Sequence, residues 1–90
     1  MEYIVTFDGT SQAIRAERLL MEAGLRIRVM PLPGQINVGC GICLRVDPDQ
    51  IDEAVRRLLD DGIRDIRVFE KVREGRRTHY LPSAPNKEEE

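Results

Sequence analysis

Leu25-Arg26-Ile27-Arg28-Val29 is the stretch whose reading decides the fold. Apolar and charged residues alternate with period two, as in a strand with one face buried and the other wet. Pro31, Pro33 and Gly34 end it. After a loop, Ile42-Cys43-Leu44-Arg45-Val46 repeats the alternation and predicts another strand. Upstream, Ala13, Ala16, Leu20 and Ala23 recur at helical spacing with Leu19 beside them, so Ser11 to Ala23 reads as a helix. Asp8-Gly9-Thr10-Ser11 supplies turn and capping residues before it, and Gly24 closes it. Tyr3 to Phe7, rich in β-branched and aromatic residues, reads as the first strand.

Downstream, Asp47-Pro48-Asp49-Gln50 is a helix start, with Asp47 as cap, Pro48 in the first turn and Gln50 reaching back as in a capping box. Ile51, Ala54, Val55, Leu58 and Leu59 form one apolar stripe, Asp52–Arg56 and Glu53–Arg57 pair four apart on the wet side, and Gly62 ends the helix. Asp65 to Glu70 is a fourth strand, Ile66 and Val68 facing one way, Arg67 and Phe69 the other. The order β-α-β-β-α-β predicts an α+β, ferredoxin-like sandwich. Both helices then cover one face of a four-stranded antiparallel sheet and leave the other face open. The domain is expected to span residues 1–72. Residues 73–90, with Arg73, Arg76 and Arg77 followed by the Pro82 to Glu90 segment, read as a basic then acidic disordered tail.

These strand phases put Arg26, Arg28, Cys43, Arg45 and Arg67 on the open face. Four arginines there predict a local positive field that attracts anions and favours a nearby thiolate. The plainer reading is that they keep an exposed sheet face wet.

Ninety residues make one small domain, and a formal charge of −2 points neither to a polyanion binder nor to an acidic tail protein. No apolar run is long enough for a bilayer, and Met1-Glu2-Tyr3-Ile4-Val5 carries no basic region or long apolar stretch, so no membrane association and a cytoplasmic location are expected.

The two cysteines of the chain fall in Gly39-Cys40-Gly41-Ile42-Cys43. Glycine on both sides of Cys40 permits a tight turn and close approach of a partner to the sulfur. Cys40 is therefore the candidate reactive thiol, against the alternative of a buried, inert cysteine. Cys43 is either a resolving thiol for Cys40 or a small strand filler. A thioredoxin-type pair opens a helix; this one leads into a strand and lacks that activating device. Two cysteines and the distant His79, read as a solvated tail residue, do not make a four-ligand zinc site, and no metal is expected. Four aromatic residues, of which only Phe69 projects from the open face, are a thin platform for stacking nucleic-acid bases. No G-x-S-x-G segment, phosphate-cradling loop or histidine base supports hydrolase or phosphoryl chemistry.

Glu2-Tyr3-Ile4-Val5-Thr6-Phe7, Ala16-Glu17-Arg18-Leu19-Leu20, Glu22-Ala23-Gly24, the Pro31-x-Pro33 loop, Cys40-Gly41 and Arg45, in this order and spacing, resemble the small bacterial family of selenium/sulfur carrier-like proteins. The resemblance runs from Met1 to Val72. It implies a carrier that holds sulfur or selenium as a persulfide or selenopersulfide on Cys40, loaded by a donor such as a cysteine desulfurase and unloaded by an acceptor protein. Gly39 and Gly41 with Arg26, Arg28, Arg45 and Arg67 would form the docking surface; no cofactor is implied, and an open sheet face is compatible with a homodimer. The chain departs from the family pattern in its longer tail beyond Arg73, and Cys43 is not carried over as a family residue. Two other readings stand beside this one: a non-catalytic binding module using the arginine face, and a Cys40/Cys43 thiol–disulfide switch.

Overall fold

The computed structural model describes residues 2–37 and 39–83. The elements are β1 (Glu2–Phe7), α1 (Thr10–Glu22), β2 (Ile27–Pro31), β3 (Ile42–Val46), a 3-10 turn (Pro48–Gln50), α2 (Ile51–Asp60), β4 (Ile66–Glu74) and β5 (Arg77–Pro82). The strands form one antiparallel sheet in the order β2-β3-β1-β4-β5. This corrects the four-stranded ferredoxin-like sandwich expected from the sequence. The sheet has a fifth strand, contributed by residues assigned above to a tail.

The register shows why one face is the core. Val5 lies opposite Leu44 on one side and Val68 on the other, so these three project together toward the helices. With Phe7 and Val46 they pack against Ala13, Ala16 and Leu20 of α1 and Ala54, Val55 and Leu58 of α2, all buried. Both helices end in paired reverse hydrogen bonds, Leu25 N–H to Leu20 O (3.1 Å) and Ile63 N–H to Leu58 O (3.0 Å). Each fold-back returns the next apolar residue, Leu25 or Ile63, to the same core. The start of α2 departs from expectation: neither Asp47 nor Gln50 caps with its side chain. Both turn to Arg26 at the approach to β2. Gln50 Oε1 accepts the Arg26 N–H at 2.7 Å, and Asp47 takes its guanidinium at 2.7 Å.

β4 runs to Glu74 and turns back through Gly75-Arg76 into β5. Gly75 has φ +62° and Arg76 does not share a positive φ, the pattern of a type II′ two-residue hairpin loop, which glycine enters without the penalty other residues meet. His79, expected as a solvated tail residue, is half-buried in β5 with Nε2 3.2 Å from Glu74 Oε1. Residues 84–90 of the expected tail lie outside the described residues.

The second face is not open. Ile4 and Cys43 are fully buried and Thr6 nearly so, yet Ile4 and Cys43 do not belong to the helix-side core. The cover is the β2–β3 loop. Gln35 Nε2 donates to the Thr78 carbonyl of β5, at the opposite edge of the sheet, at 2.8 Å, and the adjacent Ile36 is buried. In a flat sheet Thr78 would stand four strands from Pro31 and, by the register, about seven residues further along the strands, roughly 30 Å in all and beyond the reach of the loop and the Gln35 side chain together. Pro31 to Gln35 spans at most about 14 Å, less here because Ile36 N–H folds back onto Pro33 O. The sheet is therefore curled toward this face, with the loop strapped across its hollow.

Both free edges are blunted in the same way. Leu32 N–H reaches Gly41 O and Ser83 N–H reaches Val68 O, so Pro31 and Pro82 stand at positions whose nitrogen faces outward. A proline there forfeits no ladder bond and offers no donor to a docking strand. No helix among the described residues is long and apolar enough to cross a membrane.

Candidate functional site

Cys40 is held at the C-terminal end of β1. Its N–H donates to the Phe7 carbonyl at 3.1 Å, which ties the loop to the central strand just before β3 begins. Gly39 makes this contact possible. Its φ is +72°, and a β-carbon built there would overlap the Phe7 carbonyl oxygen, its nearest neighbours all being Phe7 backbone atoms. Only a residue without a side chain allows so close an approach. Gly41 is different: it is exposed, its φ is not positive, and a β-carbon would meet nothing within 4 Å. It leaves the far side of the thiol uncrowded.

The Cys40 side chain is half-buried, its inner side resting on the helix-side core and its S–H directed at the Ile42 carbonyl at 3.7 Å. α1 begins at Thr10, directly after the Asp8-Gly9 turn, with no side chain capping its first turn. The N-terminus of that helix thus lies at the same end of the sheet as the Cys40 loop.

Cys43 lies across the sheet from Cys40. It pairs with Thr6 and Met30 on the strapped face, is fully buried, and directs its S–H at Pro31 O at 3.8 Å. Burial, followed by the nearby Cys40, pushes its pKa from 9.0 up to about 11. Both cysteines are free. Cys43 projects from the strapped face of β3, whereas Cys40 precedes that strand and packs against the helix-side core. Cys43 thus packs as a buried strand residue, the surroundings of a strand filler.

Two predictions follow from the contrast. Native protein at neutral pH takes one alkyl group, on Cys40, and denatured protein takes two, read by peptide mass; equal labelling of Cys43 in native protein would contradict its burial. Stability falls as pH rises from about 9 to about 11. In that window the unfolded chain has released the Cys43 proton and the folded chain still holds it, so deprotonation favours unfolding. Urea midpoints for wild type and Cys43→Ala should diverge across this window and run parallel below it.

The four arginines are not one free field. Arg45 Nε sits 2.8 Å from Glu2 and its Nη2 3.4 Å from Asp47; Arg26 holds Asp47 at 2.7 Å and Asp49 at 3.0 Å. Lys71 joins from the other side of Glu2 at 3.6 Å. This chain of three cations and three anions is locally neutral. The Arg45 hydrogen bond holds the Glu2 carboxyl below its ordinary range, and the Arg26 bond does the same for Asp47. Arg28 and Arg67 remain exposed, with no carboxylate partner among the described residues. They stand in different rows of the sheet: Arg28 opposite Arg45, Arg67 opposite Thr6.

The positioning group at Cys40 that sequence reasoning missed is Phe7; the Gln35 tie from the same loop to β5 was missed as well. Phe7 acts through its backbone carbonyl and carries no side-chain signal; Gln35 matters only because β5 comes within its reach. No cluster of three or more His, Cys, Asp or Glu suited to a metal occurs among the described residues.

No curated protein matches the chain. Residues 2–70, from β1 into the first half of β4 and including the whole Cys40 loop, match the family described as "Putative Se/S carrier protein-like", and on that match the chain belongs to this family.

Proposed function

We propose that the protein carries sulfur or selenium on Cys40 and relays it between partner proteins. The observation that carries this reading is the contrast between the two thiols: in a chain of this family, Cys40 is partly accessible on a glycine-flanked loop, while Cys43 is sealed. A Cys40 thiolate attacks the terminal sulfur of a donor persulfide. The donor's S–S bond breaks, a new one forms on Cys40, and the donor leaves as a thiolate. The acceptor's nucleophile then removes the terminal atom and regenerates Cys40. A persulfide is an anion at neutral pH, and the uncapped start of α1 lies at this end of the sheet. This is carrier work, not independent catalysis, and it belongs in a reducing, cytoplasmic setting where thiols stay free.

A cysteine desulfurase is the proposed donor and a second protein the acceptor. The exposed Gly39-Cys40-Gly41 segment, with Arg28 and Arg67 beyond it, is the proposed docking surface. The binding-module reading loses support, because Arg26 and Arg45 are committed to carboxylates. The test is incubation of the reduced protein with desulfurase and cysteine, followed by intact and peptide masses without reductant. One reductant-labile sulfur on the Cys40 peptide is expected; none, beside an authentic carrier that loads, would sink the proposal.

A further inference from the structure

At the end of the sheet where Cys40 sits, Asp8, Arg64, Asp65, Ile66 and Arg67 line a polar cavity of about 330 Å³. It is an open depression whose lining includes two arginines and two aspartates, all four exposed. Among the described residues none of the four is within ion-pair distance of another, or of any other charged group. The opposite end of the sheet behaves in the contrary way, with Lys71, Glu2, Arg45, Asp47, Arg26 and Asp49 all satisfied by one another. Charges of both signs that converge on a cavity without neutralising one another suit a ligand that carries both signs itself. Guanidinium binds carboxylate in a planar fork, and carboxylate accepts from ammonium. The volume lies at the small end of the range for small-molecule sites.

The position relative to Cys40 follows from the pairing. Phe7 takes the Cys40 N–H on its β3 side and pairs with Ile66 on its β4 side. Cavity and thiol therefore lie on either side of the last residue of β1, at one end of the sheet, with Arg67 projecting from the Thr6 face and the Cys40 side chain set against the helix-side core, so that a ligand joins them round the strand ends.

We propose that this cavity binds the zwitterionic end of an α-amino acid, and that it seats a low-molecular-weight amino-acid persulfide or selenopersulfide for direct loading of Cys40. The loading step rests on the carrier reading above. Arg64 and Arg67 hold the α-carboxylate; Asp8 and Asp65 hold the ammonium. The Cys40 thiolate attacks the terminal sulfur of R–S–SH. The R–S–S bond breaks, its electron pair leaves on the amino-acid thiolate R–S⁻, and the terminal sulfur with its proton moves to Cys40. No net oxidation or reduction occurs. A free amino-acid persulfide would thus load the carrier without a protein donor.

The experiment has two arms on the full chain. In the first, amide NMR is followed during titration with L-cysteine, with 3-mercaptopropionate (carboxylate only) and with cysteamine (ammonium only). Saturable shifts confined to residues 8 and 64–67 are expected for L-cysteine alone, lost in Arg64→Gln/Arg67→Gln and in Asp8→Asn/Asp65→Asn. No saturable shift, or equal response to the carboxylate-only probe, overturns the site.

In the second arm, Cys40 is loaded from cysteine persulfide or from inorganic polysulfide, which has no amino-acid end. The arginine double variant should load about tenfold or more slowly from cysteine persulfide and at the wild-type rate from polysulfide. Equal rates from both donors overturn the proposal while leaving the carrier reading intact. Zwitterion binding with no loading from any donor sinks the carrier reading and the loading step alike.

Discussion

Cys40→Ser is expected to abolish sulfur loading and Cys43→Ser to leave it in place. The first half follows from chemistry: the serine hydroxyl cannot form a persulfide, and no other accessible thiol remains. Cys43 cannot substitute, because it is buried on the far face and holds its proton to about pH 11, leaving almost no thiolate at neutral pH. The second half separates the carrier from a redox pair. A carrier whose second thiol is structural keeps its persulfide when Cys43 is replaced. A pair that releases sulfur by closing a disulfide would accumulate persulfide in Cys43→Ser and show an oxidised form in wild type. Non-reducing peptide mapping of both variants after desulfurase treatment distinguishes these outcomes. Retention of labile sulfur by Cys40→Ser would end the assignment. Cys43→Ser carries its own structural cost, since it places a hydroxyl in a site satisfied by one weak S–H bond to Pro31 O; Cys43→Ala is the companion that keeps the site apolar.

Gly39→Ala is expected to be the most damaging substitution in the loop. Two costs add. Alanine in the left-handed region is disfavoured by about 1–2 kcal/mol. Its methyl group would also overlap the Phe7 carbonyl oxygen, so the loop must move and surrender the Cys40 N–H bond to that oxygen, about 1 kcal/mol more. A loss of roughly 2–3 kcal/mol is a large share of the stability of a domain this size and corresponds to a fall in Tm on the order of 10 °C. Loading should slow as well, because the same bond places the thiol. Gly41→Ala is the control: exposed, unstrained and facing open space, it should hold stability within about 0.5 kcal/mol. Equal melting temperatures for Gly39→Ala and wild type would show that the loop does not depend on the Phe7 contact.

The elements that period and punctuation announce were legible. β2, β3 and α1 each carry a regular apolar repeat bounded by proline, glycine or a cap, and the structure places them within a few residues of the reading. α2 formed where expected, but its cap did not. Asp47 and Gln50 had a tertiary partner in Arg26, and a charge-assisted bond at 2.7 Å outcompetes a local cap. β5 was missed because its helix-side row, Arg77, His79 and Leu81, holds one apolar residue, and that one stays exposed. Its one signal, glycine at the first place of a two-residue loop, was submerged in a basic run.

The candidate site divides along the same line. The candidate thiol, its glycine neighbours and the motifs behind the family resemblance are local, written in consecutive residues, and were legible in the chain alone. Which sulfur is accessible, which arginines are free and whether the second face is open depend on contacts between residues far apart in sequence. Gln35 reaches Thr78, Arg45 reaches Glu2, and Gly39 meets Phe7. Period-two alternation assigns a side chain to a face of the sheet and says nothing of what later folds over that face. Only the curled sheet and its strap decided that Cys43 is sealed and Cys40 is not.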